Sequence, residues 1–130
     1  MKIEHFALQV ADPIAMARWY VVHLGMTIQR GSKEAPYAHF LADDGGQMLI
    51  EIYYNDQFDV PNQAHVPPAH FHLAFVSDTI EQDRTRLIEA GAQAEGPINT
   101  QPNGDLVCFL RDPWGLTLQL VQRVEKLLAD

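Results

Sequence analysis

Two copies of one pattern run through the sequence, separated by 66–69 positions, and this repeat constrains the fold more than any other feature. In each copy an aspartate precedes a glycine by thirteen positions: Asp12 and Gly25 in the first copy, Asp78 and Gly91 in the second. Apolar residues between them recur at spacings of three and four, which predicts a helix. The aspartate is placed to cap the start of each helix, and the glycine to end it.

Strands are predicted around each helix from runs of alternating or β-branched residues. In the first copy the helix covers Ile14 to Leu24, and the predicted strands are Lys2–Val10, Met26–Arg30, Tyr37–Ala42 and Gln47–Tyr54. In the second copy the helix runs through Ile80, Leu87 and Ile88, and the predicted strands are Phe71–Val76, Leu106–Leu110 and Leu116–Val121. Turns at positions 43–46 and 112–115 occupy matching places in the two copies.

The chain of 130 residues suits one domain, 1–130, built from two modules. The first module is expected at 1–54 and the second at 70–122. Between them the residues 55–69 contain scattered prolines and no periodicity, which indicates a connector, either a linker or a functional lid. The last residues, 123–130, are expected to form a short helix or a tail.

These elements predict an α+β fold of two βαβββ modules that form a curved mixed sheet with a cleft. Each four-stranded sheet is covered on one face by its helix, and pairing the two other faces creates the cleft. His5 and His72 begin the first strands of the two copies, while Glu51 and Gln119 lie in the last strands. A charged residue such as Glu51 inside an apolar strand needs a partner or a solvent-filled site.

Charge and cysteine content exclude several classes of function. Nine Lys and Arg against seventeen Asp and Glu give a net charge of −8, which argues against nucleic acid and against an anionic membrane surface as partners. Cys108 is the sole cysteine, so neither an internal disulfide nor a thiolate cluster can form. The sequence begins without an apolar signal segment and has no long apolar run, so we expect a cytoplasmic protein.

The sequence resembles the vicinal oxygen chelate superfamily, which includes glyoxalase I, extradiol dioxygenases, and fosfomycin-resistance and bleomycin-binding proteins. The resemblance covers nearly the whole chain apart from the connector and the tail. It is carried by His5-Phe6-Ala7-Leu8-Gln9-Val10 with Asp12, Trp19-Tyr20, Leu24-Gly25-Met26, Glu51, His72-Leu73-Ala74-Phe75 with Asp78, Arg111-Asp112-Pro113-Trp114-Gly115 and Leu118-Gln119-Leu120.

The resemblance implies a divalent metal site, since metal-using members take ligands from the first and last strands of each module. Transferred to this chain, the ligand positions are His5, Glu51, His72 and Gln119. Two imidazoles and a carboxylate suit zinc, nickel, manganese or iron and leave positions for a substrate with two oxygens. The implied activity is a metal-dependent lyase or isomerase reaction on a small 2-oxo or 2-hydroxy carbonyl compound. Glu51 is the expected base, and Gln119 completes or orients the site.

Two positions depart from the glyoxalase pattern. Gln119 stands where glyoxalase I commonly has its last-strand glutamate, and an amide has no basicity to offer near neutral pH. Gln9 stands where glutathione-dependent glyoxalases carry an arginine for the glutathione carboxylate. Both changes point away from a standard glutathione-dependent enzyme. Extradiol dioxygenases also take their carboxylate ligand from the position of Gln119. Dioxygenase activity is therefore less favoured than lyase or isomerase activity.

A second interpretation is that the chain is a metal-free protein that binds or sequesters a drug, as the bleomycin-binding members of the superfamily do. The net charge of −8 favours a cationic ligand. Aromatic surface for stacking would come from Trp19, Tyr37, Tyr53, Tyr54 and Trp114. Related small proteins are commonly dimers with clefts built from both chains, so we expect a homodimer with two sites, each drawing ligands from both subunits.

Overall fold

The computed structural model describes residues 1–47 and 49–129, and its chain divides into two compact units, Met1–Pro61 and Asn62–Asp130. Met48, inside the predicted strand Gln47–Tyr54, and Asp130, at the end of the predicted tail, lie outside the described residues. The first unit contains β1 (His5–Gln9), α1 (Pro13–Leu24), β2 (Thr27–Gly31), β3 (His39–Ala42) and β4 (Leu49–Tyr53). The second contains β5 (Leu73–Val76), α2 (Ile80–Glu89), β6 (Gln93–Thr100), β7 (Leu106–Arg111) and β8 (Thr117–Gln122).

Each unit is a four-stranded mixed sheet with the same topology, which confirms the predicted α+β class. The first sheet has the strand order β1-β4-β3-β2 and the second has β5-β8-β7-β6. In both sheets the first and last strands of the unit pair in parallel, and the other pairs are antiparallel. The first and last strands of a module are therefore neighbours, which brings the residues they carry together.

One face of each sheet forms the core against its helix. In the first unit the alternating residues Ile50 and Ile52 of β4 are buried with Met16 and Tyr20 of α1. In the second unit buried leucines of β7 and β8 accompany Ile80 and Leu87 of α2, among them Leu110, Leu118 and Leu120. We call the other side of each sheet its helix-free face. The period of two along a strand places residues 49, 51 and 53 on this face in the first unit.

The start and end of α1 agree with the sequence prediction. The Asp12 side chain accepts a hydrogen bond from the Ala15 backbone N–H at 3.0 Å, and Pro13 occupies the first turn. Gly25 ends the helix in the left-handed conformation with φ +67°. A residue with a side chain is strained at this φ, so glycine is required here.

The start of α2 corrects the prediction that Asp78 caps it. The N-cap is Thr79, whose side chain makes no capping hydrogen bond. Instead, the Gln122 amide oxygen accepts from the Ile80 backbone N–H at 3.0 Å, and the Ser77 hydroxyl accepts from the Thr79 N–H at 3.1 Å. The cap is therefore supplied by the last strand of the unit, a contact that local sequence does not encode.

Three further features add detail that the sequence analysis did not give. The first strand after α2 in the second module, whose bounds the sequence did not predict, is Gln93–Thr100; its register shifts between Glu95 and Asn99, around a glycine and a proline. Residues 123–129, for which the sequence allowed a helix or a tail, form no helix, and the Val124 backbone N–H donates to Asp105 Oδ1 at 2.8 Å. His39 is buried at the start of β3.

Within the described part of the chain, no helix is long and apolar enough to cross a membrane.

Candidate functional site

The helix-free face of the first sheet carries His5, Phe40 and Glu51. Phe40 pairs with Glu51 across β3 and β4, and Glu51 pairs with Ala7, two residues after His5 on β1. The rings of His5 and Phe40 meet edge to face, with centroids 5.5 Å apart and planes at 83°. Because paired residues point to the same side of a sheet, these three side chains share one face.

The structure brings His5 and Glu51 into direct contact, as their parallel strands predict. His5 Nε2 lies 3.4 Å from Glu51 Oε2, and His5 Nδ1 lies 2.9 Å from Glu4 Oε1. An ionised carboxylate only accepts hydrogen bonds, so Nδ1 carries a proton. In the neutral imidazole, the Nε2 lone pair then points at a carboxylate oxygen, and two acceptors placed this way repel each other. A proton shared between them, or a bound metal cation, would remove the repulsion.

The second sheet repeats this arrangement with His72, Phe109 and Gln119. Phe109 pairs with Gln119 across β7 and β8, and the His72 and Phe109 ring centroids lie 5.2 Å apart at 70°. His72 precedes β5 by one residue, although the sequence predicted it inside the strand. Its Nδ1 lies 2.8 Å from the Pro68 carbonyl oxygen. A carbonyl only accepts, so Nδ1 is the donor and the Nε2 lone pair is left for a ligand.

In their neutral forms both histidines would therefore have the tautomer of a metal ligand. Metal-binding histidines characteristically donate their second ring N–H to a carboxylate or a backbone carbonyl, and here the acceptors are Glu4 and Pro68. Glu51 adds a carboxylate whose side chain is 20% exposed. Gln119 adds an amide on a half-buried side chain, and among the described residues this amide has no hydrogen-bond partner.

The donor set of His5, Glu51, His72 and Gln119 fits a divalent cation, with two imidazole nitrogens, one carboxylate and one amide oxygen. The structure brings these residues together as two pairs, each within its own unit. Within residues 1–47 and 49–129, no group of three His, Cys, Asp or Glu side chains is placed to hold a metal. The four-residue ligand set therefore remains a prediction.

Arg111 ties the segment that precedes His72 to the second sheet. The buried guanidinium meets Glu95 with Nε and Nη2 at 3.2 and 3.3 Å. Its Nη1 also donates to the Gln63 and Val66 carbonyls at 3.0 and 2.9 Å. The segment that ends at the Pro68 carbonyl is thus tied to β7.

The other end of the connector is tied to the first unit by Gln9. Its amide Nε2 donates to the Asn55 and Phe58 carbonyls at 2.6 and 3.0 Å, and its Oε1 accepts from the Asn55 N–H at 2.9 Å. The side chain is therefore occupied by backbone groups. It is not available to a ligand carboxylate, in agreement with its departure from the glyoxalase pattern.

The aromatic residues proposed for drug binding fall into different environments. Trp19 is buried on α1 against Tyr20 and His23, which makes it part of the core. Tyr37 and Tyr54 line a pocket of about 350 Å³ in the first unit. Its lining also includes Ala35, Pro36, Asn55 and Asp56. Tyr53 and Trp114 are half-buried outside this pocket.

Cys108 is 1% exposed in the core of the second sheet. Burial raises the pKa of its thiol, so the thiolate is disfavoured. The side chain therefore packs as a small apolar residue.

Sequence reasoning missed the two phenylalanines that support the histidine rings. The available signal was the repeat itself, because Phe40 and Phe109 are separated by the same offset as Gly46 and Gly115. In the sequence, each of these phenylalanines is typical of an apolar strand position. The backbone acceptor of His72 left no sequence signal, because any residue at position 68 has a carbonyl.

Comparison with protein families gives one match over most of the chain. The sequence profile described as the Glyoxalase/Bleomycin resistance protein/Dioxygenase superfamily matches residues 2–120. A lactoylglutathione lyase from Salmonella typhimurium is 26% identical over 133 residues, covering 94% of this chain and 93% of that protein.

Solved structures share the fold at lower sequence identity. A member of the glyoxalase/bleomycin resistance protein/dioxygenase superfamily from Sphaerobacter thermophilus aligns with a TM-score of 0.74 at 17% identity, covering 95% of this chain and 98% of that one. TnmS3, an antibiotic binding protein from Streptomyces sp. CB03234, aligns with a TM-score of 0.68 at 20% identity, covering 94% and 95%. At these identities the likeness extends to the fold alone.

Proposed function

The chain belongs to the Glyoxalase/Bleomycin resistance protein/Dioxygenase superfamily, and from this premise we propose that it is a metal-dependent lyase or isomerase. Its substrate is a small 2-oxo or 2-hydroxy carbonyl compound. His5, Glu51, His72 and Gln119 hold the divalent ion in this proposal, which would be zinc, nickel, manganese or iron.

The contact between His5 and Glu51 carries the proposal. With His5 neutral and its Nδ1–H donated to Glu4, the Nε2 lone pair would face a Glu51 oxygen at 3.4 Å. Two acceptors placed face to face repel each other unless a cation lies between them or a proton is added. His72 supports the same conclusion, because its Nδ1 is also engaged by an acceptor.

A bound divalent ion would supply Lewis-acid polarisation of the substrate carbonyl and stabilise the negative charge that develops there. The residues of the chain supply the remaining chemistry. Glu51, as the carboxylate displaced from the ion, takes a proton from the carbon beside the carbonyl and returns it to the adjacent carbon, which completes an isomerisation. Gln119 cannot take a proton, so it ligates or donates a hydrogen bond that orients the substrate.

Metal content tests the proposal directly. Elemental analysis of the purified protein should find about one divalent ion per site, and its removal by a chelator should lower the melting temperature. His5→Ala and His72→Ala should each weaken metal binding by about 100-fold or more, because even loss of an outer-shell partner costs roughly 10–100-fold.

His65→Ala is the matched control, since this histidine is exposed in a short 3-10 helix and bonds to Asn62 at 3.3 Å. It should leave metal affinity unchanged. A protein that takes up none of the four metals, with a melting temperature that none of them shifts, would contradict the proposal.

The second candidate is a metal-free protein that binds a small-molecule drug. The half-buried Tyr37 and Tyr54 beside a pocket of about 350 Å³ support it, because aromatic walls suit a flat or cationic ligand. The structural neighbour from Streptomyces is an antibiotic binding protein. Tight binding of a cationic drug by chelator-treated protein, lost in Tyr37→Leu, would favour this candidate over the enzyme.

We also propose a homodimer in the cytoplasm, with a small-molecule ligand and no nucleic-acid or membrane partner. The edge strands β1 and β5 support association, because each leaves one side of its backbone unpaired within its sheet. Light scattering at micromolar concentration tests the assembly, and a monomer would contradict it.

A further inference from the structure

Arg30 occupies the same row of the first sheet as Glu51. It pairs with Phe40 across β2 and β3, and Phe40 pairs with Glu51 across β3 and β4. Paired residues point to the same side, so Arg30 lies on the helix-free face that also carries His5. Its guanidinium carbon sits 5.9 Å from the centre of the Phe40 ring.

The guanidinium of Arg30 is available to a ligand. Among residues 1–47 and 49–129 it has no hydrogen bond and no ion pair. Arg86, Arg111 and Arg123 are instead each paired with a carboxylate within 3.3 Å. Arg18 and Arg84 likewise have no carboxylate partner among the described residues, so Arg30 is distinguished by its place on the helix-free face.

Two contacts bear on the position of the Arg30 side chain and its backbone. The guanidinium carbon lies within cation–π range of the Phe40 ring, 5.9 Å from its centre. The next residue, Gly31, packs so closely on the buried His39 ring that an added Cβ would lie 2.8 Å from His39 Cδ2. The backbone beside Arg30 is thereby fixed against β3.

We propose that Arg30 binds a carboxylate group of the substrate. This carboxylate is at the end of the substrate opposite to the atoms that lie near Glu51 and His5. The planar guanidinium matches a carboxylate with two parallel hydrogen bonds. Arg30 and Glu51 are two strands apart, which corresponds to about 10 Å at the usual strand spacing. The inference rests on the proposed function and narrows its substrate to a 2-oxo or 2-hydroxy carbonyl compound with a distal carboxylate.

A matched pair of chelating probes tests this assignment in protein loaded with Zn²⁺. Adipic acid monohydroxamate carries a metal-binding head and a distal carboxylate, and its primary amide analogue has the same length without the charge. Calorimetry should show the carboxylate probe binding about tenfold more tightly, the gain expected for a charge-assisted hydrogen bond. Arg30→Gln should remove this preference, and Arg18→Gln, exposed on α1, should retain it.

A second measurement separates this inference from the metal proposal. In metal-free protein, titration with adipate should shift the NMR resonance of the Arg30 side-chain N–H, whether or not a metal binds elsewhere. A shift in a protein that takes up no metal would overturn the proposed function and support the anion site. Equal binding of the two probes, or an Arg30 resonance that adipate does not move, would overturn the role of Arg30.

Discussion

The helix-free faces of the two sheets carry the same histidine and phenylalanine but differ in the polar residue beside them. His5 meets Phe40 at 83° and His72 meets Phe109 at 70°, so both rings are supported edge to face. The last strand then offers a carboxylate at Glu51 in the first unit and an amide in the second. Charge on these faces is therefore unequal, although their topology is the same.

The two histidines also differ in what holds Nδ1. In the first unit the acceptor is the neighbouring Glu4, a side chain that is 78% exposed. In the second unit it is the Pro68 carbonyl, in a segment whose backbone is tied to Arg111. In the proposed metal site, the first unit would therefore supply the charged group, and the second would supply a histidine whose Nδ1 partner lies in a segment tied to Arg111.

The largest expected effect comes from removing the charge that distinguishes the faces. Glu51→Gln leaves the proposed donor set without a carboxylate, so we expect metal affinity to fall by about 100-fold or more. Gln119→Ala removes only a neutral donor and should cost less than about tenfold. Calorimetric titration with Zn²⁺ measures both.

Gln119→Glu sharpens the same comparison, because it gives both faces a carboxylate. In the background of Glu51→Gln it should restore most of the lost affinity. If Glu51→Gln binds zinc as tightly as the parent protein, the charge difference between the faces has no part in metal binding.

The next effect concerns the rigidity of the second unit. Arg111→Met removes a buried guanidinium that meets Glu95 and three backbone carbonyls, those of Gln63, Val66 and Gly115. We expect a loss of about 2–3 kcal/mol in the free energy of unfolding, because buried acceptors lose their donors. Urea denaturation measures this loss.

The control is Arg86→Met, where the lost partner is Asp83 and the arginine side chain is 50% exposed. That substitution should cost about 0.5 kcal/mol. Equal losses for the two variants would show that the Arg111 contacts do not stabilise the second unit more than a surface pair does.

A smaller effect distinguishes the two helix starts. Asp12→Ala should cost about 1 kcal/mol, since it removes the side chain that accepts from Ala15. Thr79→Ala should cost a few tenths of a kcal/mol, because the Thr79 side chain makes no capping bond and Gln122 serves the Ile80 N–H. Urea denaturation of both variants checks the order, and a larger loss for Thr79→Ala would contradict it.

The smallest effect is a change in acid sensitivity within the second unit. The Val124 backbone N–H, with the Arg123 guanidinium, lowers the pKa of Asp105 below its ordinary value of 3.8. Because the folded pKa is lower than the unfolded one, this stabilisation is complete well above pH 3.8 and is lost as the pH falls below it. Asp105→Asn should therefore be less stable than the parent at neutral pH, with a difference that shrinks in acid. Urea midpoints across this range test it, and a constant difference would contradict it.

Local signals in the sequence were sufficient for much of the fold. Asp12 and Gly25 bound α1 as predicted, because capping depends on residues within one turn of the helix. The repeat predicted two matching sheets, which the shared strand order confirms. The contact between His5 and Glu51 also followed from the pattern, since first and last strands of a module are neighbours. The module boundaries at 54 and 70 stay a prediction.

The features that sequence could not supply depend on distant contacts. The cap of α2 comes from Gln122, 42 positions away, so the local signal at Asp78 was misleading. The Arg111 guanidinium reaches backbone carbonyls 45 and 48 positions earlier, and a backbone acceptor has no residue type to recognise. The burial of His39 likewise follows from the close packing of Gly31 on its ring.

The amide at position 119 also has an evolutionary consequence. Because no described neighbour bonds to this side chain, the fold places little demand on whether it is neutral or charged. Glutamine and glutamate codons differ only in their first base, so a descendant could acquire a second acid at this site without remodelling the scaffold.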